Sequence, residues 1–81
     1  MHEAAAAQDL VRKALSVAED SGADGVCAVR VRQGPLGHLS RSHLIEYFTR
    51  AAEGTPVAGA DLVIEDGEEG AGLVLVSVTV T

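Results

Sequence analysis

The sequence predicts an α+β domain: two helices packed on one face of a three-stranded mixed β-sheet, in the chain order α-β-α-β-β. Three observations predict it. Apolar residues recur at helical spacing in two separate stretches, Ala7 to Ala18 and Leu44 to Ala52. In VCAVRVR (residues 26–32) Cys27, Val29 and Val31 alternate with Ala28, Arg30 and Arg32, and in the closing LVLVSVTVT valines recur at every second position, the spacing of half-buried strands. Glycine and proline punctuate the chain between these stretches, where turns are needed.

The first helix is expected from about Glu3 to Ser21. Four alanines, Ala4 to Ala7, favour it at the start. Ala7, Leu10, Val11, Ala14, Leu15 and Ala18 then form its buried stripe, and Gly22 is placed to end it in a left-handed conformation. In the first strand Cys27, Val29 and Val31 alternate with Ala28, Arg30 and Arg32. Cys27 is therefore expected to face the core as a small hydrophobe, with the arginines on the other side, where they read equally as partners of Asp61 or Glu65 on a neighbouring strand or as a partner-docking face.

Residues 33–39, QGPLGHL, form a loop, and Ser40 is an N-cap for the second helix, which buries Leu44, Tyr47, Phe48, Ala51 and Ala52. Gly54 and Pro56 close that helix. ADLVIE (residues 60–65) is the second strand. An acidic glycine-rich turn over 66–72 leads to the third, with Val74, Val76, Val78 and Val80 expected on its core face. The intervening helix predicts a parallel, right-handed crossover between the first two strands, and the short turn predicts that the last two run antiparallel.

Composition narrows the function. Six Lys+Arg against twelve Asp+Glu give a net charge of −6, the wrong sign for a nucleic-acid face. One cysteine permits no internal disulfide, and no apolar run has the length of a membrane span, so a cytoplasmic setting is expected. No nucleophile–base–acid set and no phosphate-binding loop is visible, since GPLG lacks a following Lys-Ser/Thr, so the expectation is that the chain is not an enzyme. Glu65, Asp66, Glu68 and Glu69 lack the spacing of a calcium loop and read as a solvated turn.

The chemistry that stands out is at the very start. Met1-His2-Glu3, then AQDLV, then GPLGHLSRSHLIEYFTRAAEGTPVAGADLVIE over residues 34–65, form an ordered series. With it the chain resembles the HypA-type accessory proteins that deliver nickel to nickel–iron hydrogenases. The resemblance covers about the first 66 residues and the final strand. It implies that residues 1–81 are a single HypA-like nickel-binding domain. Such proteins carry a zinc domain between the last two strands, built on two Cys-x-x-Cys pairs. Here residues 66–72 stand in that place and Cys27 is the single cysteine, so no zinc is expected.

The Met1 amine, the backbone nitrogen joining residues 1 and 2, and the His2 imidazole are linked donors that can wrap one metal ion. A nitrogen-rich planar set suits Ni(II) or Cu(II). The resemblance selects Ni(II) and adds backbone nitrogen near Glu3. The competing reading is a frayed terminus without a role. Glu3 reads equally as an acid favourable in the first helical turn. His38, in the loop, is a further candidate ligand; His43, in the first turn of the second helix, is a weaker one, and both read also as solvated polar residues. The implied partners are the hydrogenase large subunit and a nickel-handling GTPase. The alternative is a metal-free adaptor module that kept the fold and a partner surface.

Overall fold

The computed structural model describes residues 3–35, 40–70 and 72–81. Its elements are α1 (Glu3–Asp20), β1 (Val26–Gln33), α2 (Arg41–Ala52), β2 (Asp61–Asp66) and β3 (Leu73–Val80). The two helices cover one face of a sheet with strand order β2-β1-β3. The expected α+β architecture is the one observed.

The α1 stripe buries Ala7, Leu10, Val11, Ala14 and Ala18. Gly22 ends the helix at φ +66, where its N–H donates to Glu19 O at 3.1 Å and Ala23 N–H reaches back to Ala18 O at 2.9 Å. A residue with a Cβ is strained there, which is why glycine occupies the position. Ser40 caps α2, its hydroxyl accepting from His43 N–H. Leu44, Phe48 and Ala52 face α1 and the sheet, and Tyr47 is half-buried beside them.

Strand β1 lies in the middle and carries Val29 and Val31 fully buried. It pairs parallel with β2 from Ala28↔Asp61 to Gln33↔Asp66 and antiparallel with β3 from Val26↔Val80 to Gln33↔Leu73. The last two strands thus run in opposite directions but do not pair, because β1 separates them. The turn between them passes the end of β1 and is fastened to it on both sides: Gly67 N–H donates to Gln33 O at 2.8 Å and Gly34 N–H to Gly72 O at 2.9 Å.

Two expectations about faces are corrected. Cys27 is exposed, and Val26 is buried in its stead. Val74 and Val76 are exposed at 46% and 37%, while Leu73 and Leu75 pack on the core with Val78 and Val80. Both corrections have one cause. The β1–β3 register slips once between Val26 and Ala28, where Cys27 is the extra residue, and once between Arg30 and Val31, where Val76 is. Each bulge reverses the inside–outside alternation of its strand.

Val57 is a fully buried core residue with no periodic pattern to announce it. The turns after α2 place it: Ala58 N–H donates to Thr55 O and Ala60 N–H to Val57 O, while Pro56 O accepts from Val26 N–H at 3.0 Å. Gly25 lets that approach happen, since a Cβ there would stand 3.2 Å from Pro56 O.

The core makes a direct stability prediction. Phe48→Ala is expected to cost about 3–5 kcal/mol, whereas Val74→Ala, on the exposed face, should stay within about 0.5 kcal/mol. Urea unfolding of both variants measures the difference, and equal losses would place β3 in the wrong register.

Candidate metal-binding end of the molecule

Glu3 is the first residue of α1, and its carboxylate does more than favour the helix dipole. The residue is 8% exposed, and its Oε2 accepts the backbone N–H of Ser40 at 3.0 Å. Ser40 is the N-cap of α2, so an acid from one helix satisfies a free donor at the start of the other. Being charge-assisted, this is among the stronger kinds of hydrogen bond. The Ser40 N–H is the largest of several influences, among them Glu3's own backbone N–H, that together hold the Glu3 carboxyl down to about 2, from an ordinary 4.5, against the opposing effect of burial.

The start of α2 is tied from a second side as well. Arg41 donates to Asp66 at the end of β2, at 2.7 Å. The 67–72 turn and the loop that follows β1 leave the sheet together, through the Gly67–Gln33 and Gly34–Gly72 hydrogen bonds. The tip of α1, the start of α2, the loop entrance and the β2–β3 turn therefore gather at one end of the molecule. The sequence marks Ser40 only as a helix cap. Its bond to Glu3 joins positions 37 residues apart and leaves no local signal.

The sequence-derived candidates divide as follows. Glu3 is described and lies at this end. Met1, His2 and His38 lie outside the described residues; His2 directly precedes Glu3, and His38 is two positions before Ser40. His43 is exposed on the first turn of α2, with its backbone N–H 3.4 Å from the Ser40 hydroxyl. Cys27 sits near the opposite end of β1, six residues from Gln33, roughly 20 Å away at the rise of a strand. It cannot join a site at the α1 tip. Glu65 is engaged on the open sheet face by Arg30 at 3.1 Å and Arg32 at 3.7 Å, one of the two pairings the alternation suggested. Among the described residues no group of three His, Cys, Asp or Glu side chains is placed to hold a metal ion. No described helix is long and apolar enough to cross a membrane.

A small two-layer α+β domain, with the first residue of its first helix tied to the N-cap of its second, is the class that the fold defines. The family model described as "Hydrogenase/urease nickel incorporation, metallochaperone, hypA" matches residues 1–71, and the chain belongs to that family. It is 42% identical over 66 residues to the hydrogenase maturation factor HypA of Chloroflexus aurantiacus, covering 82% of this chain and 58% of that protein. It is 42% identical over 65 residues to the HypA of Methanopyrus kandleri, covering 80% of this chain and 46% of the relative. The chain thus spans about half the length of the curated relatives it matches. The solution structure of the Ni metallochaperone HypA from Helicobacter pylori superposes with a TM-score of 0.83 at 17% identity, covering 99% of this chain and 97% of that one, which shows a shared fold.

The Glu3–Ser40 bond has a pH signature. A carboxyl depressed in the folded state stabilises the fold above its unfolded value of 4.5 and loses that contribution as pH falls towards about 2. Asp9, lowered by Lys13, titrates in the same direction, so the comparison is best made in an Asp9→Asn background. There, Glu3→Gln should lower the urea midpoint at pH 7, and the gap to the parent should close below pH 4. A gap independent of pH would mean that the charge on Glu3 is not what Ser40 recognises.

Proposed function

We propose that this chain is a nickel-binding accessory domain that holds Ni(II), as cargo, at its N-terminus for insertion into a nickel–iron hydrogenase. The observation that carries the reading is Met1-His2-Glu3 at the start of a chain of this family, with Glu3 opening α1 and tied to Ser40. The tie favours one donor set over another. The Glu3 carboxylate already accepts from Ser40, so the donors proposed are the Met1 amine, the His2 imidazole and backbone nitrogen up to Glu3.

A terminal site suits a cargo. It is outside the core, so loading and unloading do not require unfolding, and the linked donors can be released one at a time to a recipient's ligands. His38 supplies a further ligand from the loop if its imidazole is drawn to the ion. The proposed recipients and helpers are the hydrogenase large subunit and a nickel-handling GTPase, in the cytoplasm. In this reading the domain carries nickel without a resident zinc and without catalysis of its own. Residues 1–81 then act as one domain, with the 67–72 turn closing the sheet where relatives of this type insert their zinc domain.

Isothermal calorimetry with Ni(II) tests the proposal. The unmodified chain should bind one ion. His2→Ala, and a form extended by two residues at the N-terminus, should each lose more than the roughly 10–100-fold that an outer-sphere substitution costs. Binding should release protons and weaken as pH drops below neutrality, because the amine and imidazole must shed protons to coordinate. The metal-free His2→Ala chain should melt as the parent does. Equal binding by all three forms would refute the N-terminal site.

A further inference from the structure

Strand β3 forms one edge of the sheet, with β1 on one side and, among the described residues, no strand on the other. Edges of this kind are normally blunted by charge, proline, brevity, a bulge or a covering segment, and of these β3 has the bulge at Val76. β3 is eight residues long and contains neither charge nor proline. The opposite edge, β2, is protected: it is six residues long and carries Asp61, Glu65 and Asp66. In a chain of net charge −6, β3 is the stretch along which a second copy meets no like charge.

The exposure pattern of β3 reads the same in both directions. Leu73, Leu75, Val78 and Val80 are half-buried towards the helices, and Val74, Val76, Ser77 and Thr79 are exposed. The symmetry is a product of the Val76 bulge. In a regular strand of even length, antiparallel pairing of the full strand with its own copy would oppose inward to outward residues at every position, because directly opposed residues must share a face. The bulge reverses the alternation at mid-strand and removes that conflict.

We propose that two copies of this chain associate through β3, antiparallel and about a two-fold axis between Val76 and Ser77, forming a continuous six-stranded sheet. In this register Leu73 opposes Val80 of the second copy, Val74 opposes Thr79, Leu75 opposes Val78, and Val76 opposes Ser77. Inward residues meet inward residues throughout, so the helix-covered layer and the open face each continue across the axis. The same operation on β2 would set Asp61 against Asp66 and bring acids together on both sides of the axis. A foreign strand could use the same edge, but the self-matching pattern has no bearing on a foreign strand and is required of a two-fold pair.

Sedimentation velocity in chelator-containing buffer, from micromolar to millimolar protein, tests the proposal independently of nickel. The expected result is a reversible dimer. Val76→Lys should raise its dissociation constant by about tenfold or more, since the two lysines lie beside one another across the axis, while Val63→Lys on β2 leaves it unchanged. Circular dichroism confirms that both variants keep the fold. In a Cys27→Ser background, Val74→Cys with Thr79→Cys should oxidise to a covalent dimer and Val74→Cys alone should not. The two positions within one strand are five residues apart, roughly 17 Å, too far to close on themselves. A monomer at every concentration, a dimer lost in Val63→Lys but kept in Val76→Lys, or cross-linking by Val74→Cys alone would overturn the proposal.

Discussion

A carboxylate at the first turn of one helix and a backbone N–H at the start of the next hold the chemically distinctive end of this molecule together. The Glu3–Ser40 bond ties the first residue of α1 to the N-cap of α2, across 37 positions of the chain. With it, the residue next to His2 is attached to the segment that leads out of the His38 loop. Ser40 is in turn followed by Arg41, which grips Asp66 at the end of β2. A short chain of polar contacts therefore runs from α1 through α2 to the sheet, at the same end where the β2–β3 turn crosses β1.

The geometry separates what folds the domain from what it would carry. The buried cluster is aliphatic apart from Phe48 and runs from Ala7 to Val57 without a metal ligand in it. The proposed nickel donors belong to residues 1–3, none of which is part of that cluster. An ion can then come and go without disturbing Val29, Val31, Leu44 or Phe48. A structural metal site has the opposite design, since its ligands converge in the fold and removal of the ion unfolds the protein. β2 and β3 are joined by residues 67–72. In this chain Gly67 and Gly72 close that connection against β1 directly.

Much of this was legible in the sequence because it rests on local rules. The α1 stripe, the Gly22 stop, the Ser40 cap and the pairing of an arginine row with Glu65 each follow from residue spacing and side-chain chemistry. The errors share a different character. Cys27 looked buried and Val74 and Val76 looked inward because strict alternation assumes an unbroken register, and a bulge is settled by the partner strand. Val57 was missed because a turn, and not a period, delivers it to the core. The Glu3–Ser40 bond was invisible because it depends on how two helices pack. The family resemblance reached Met1, His2 and Glu3 by position alone, and Glu3 is the one of the three whose surroundings the structure supplies.

The most direct test of nickel at the N-terminus is a residue-by-residue one. Amide correlation spectra of the isotope-labelled chain, taken with and without one equivalent of Ni(II), should show shifts or broadening in the first turn of α1 and, across the Glu3 bond, at Ser40 and Arg41. The amides around Cys27 and along β3 should be unmoved. Perturbation centred on Cys27 or on the acidic turn at Glu68 and Glu69, with the α1 tip and Ser40 unchanged, would contradict the N-terminal site.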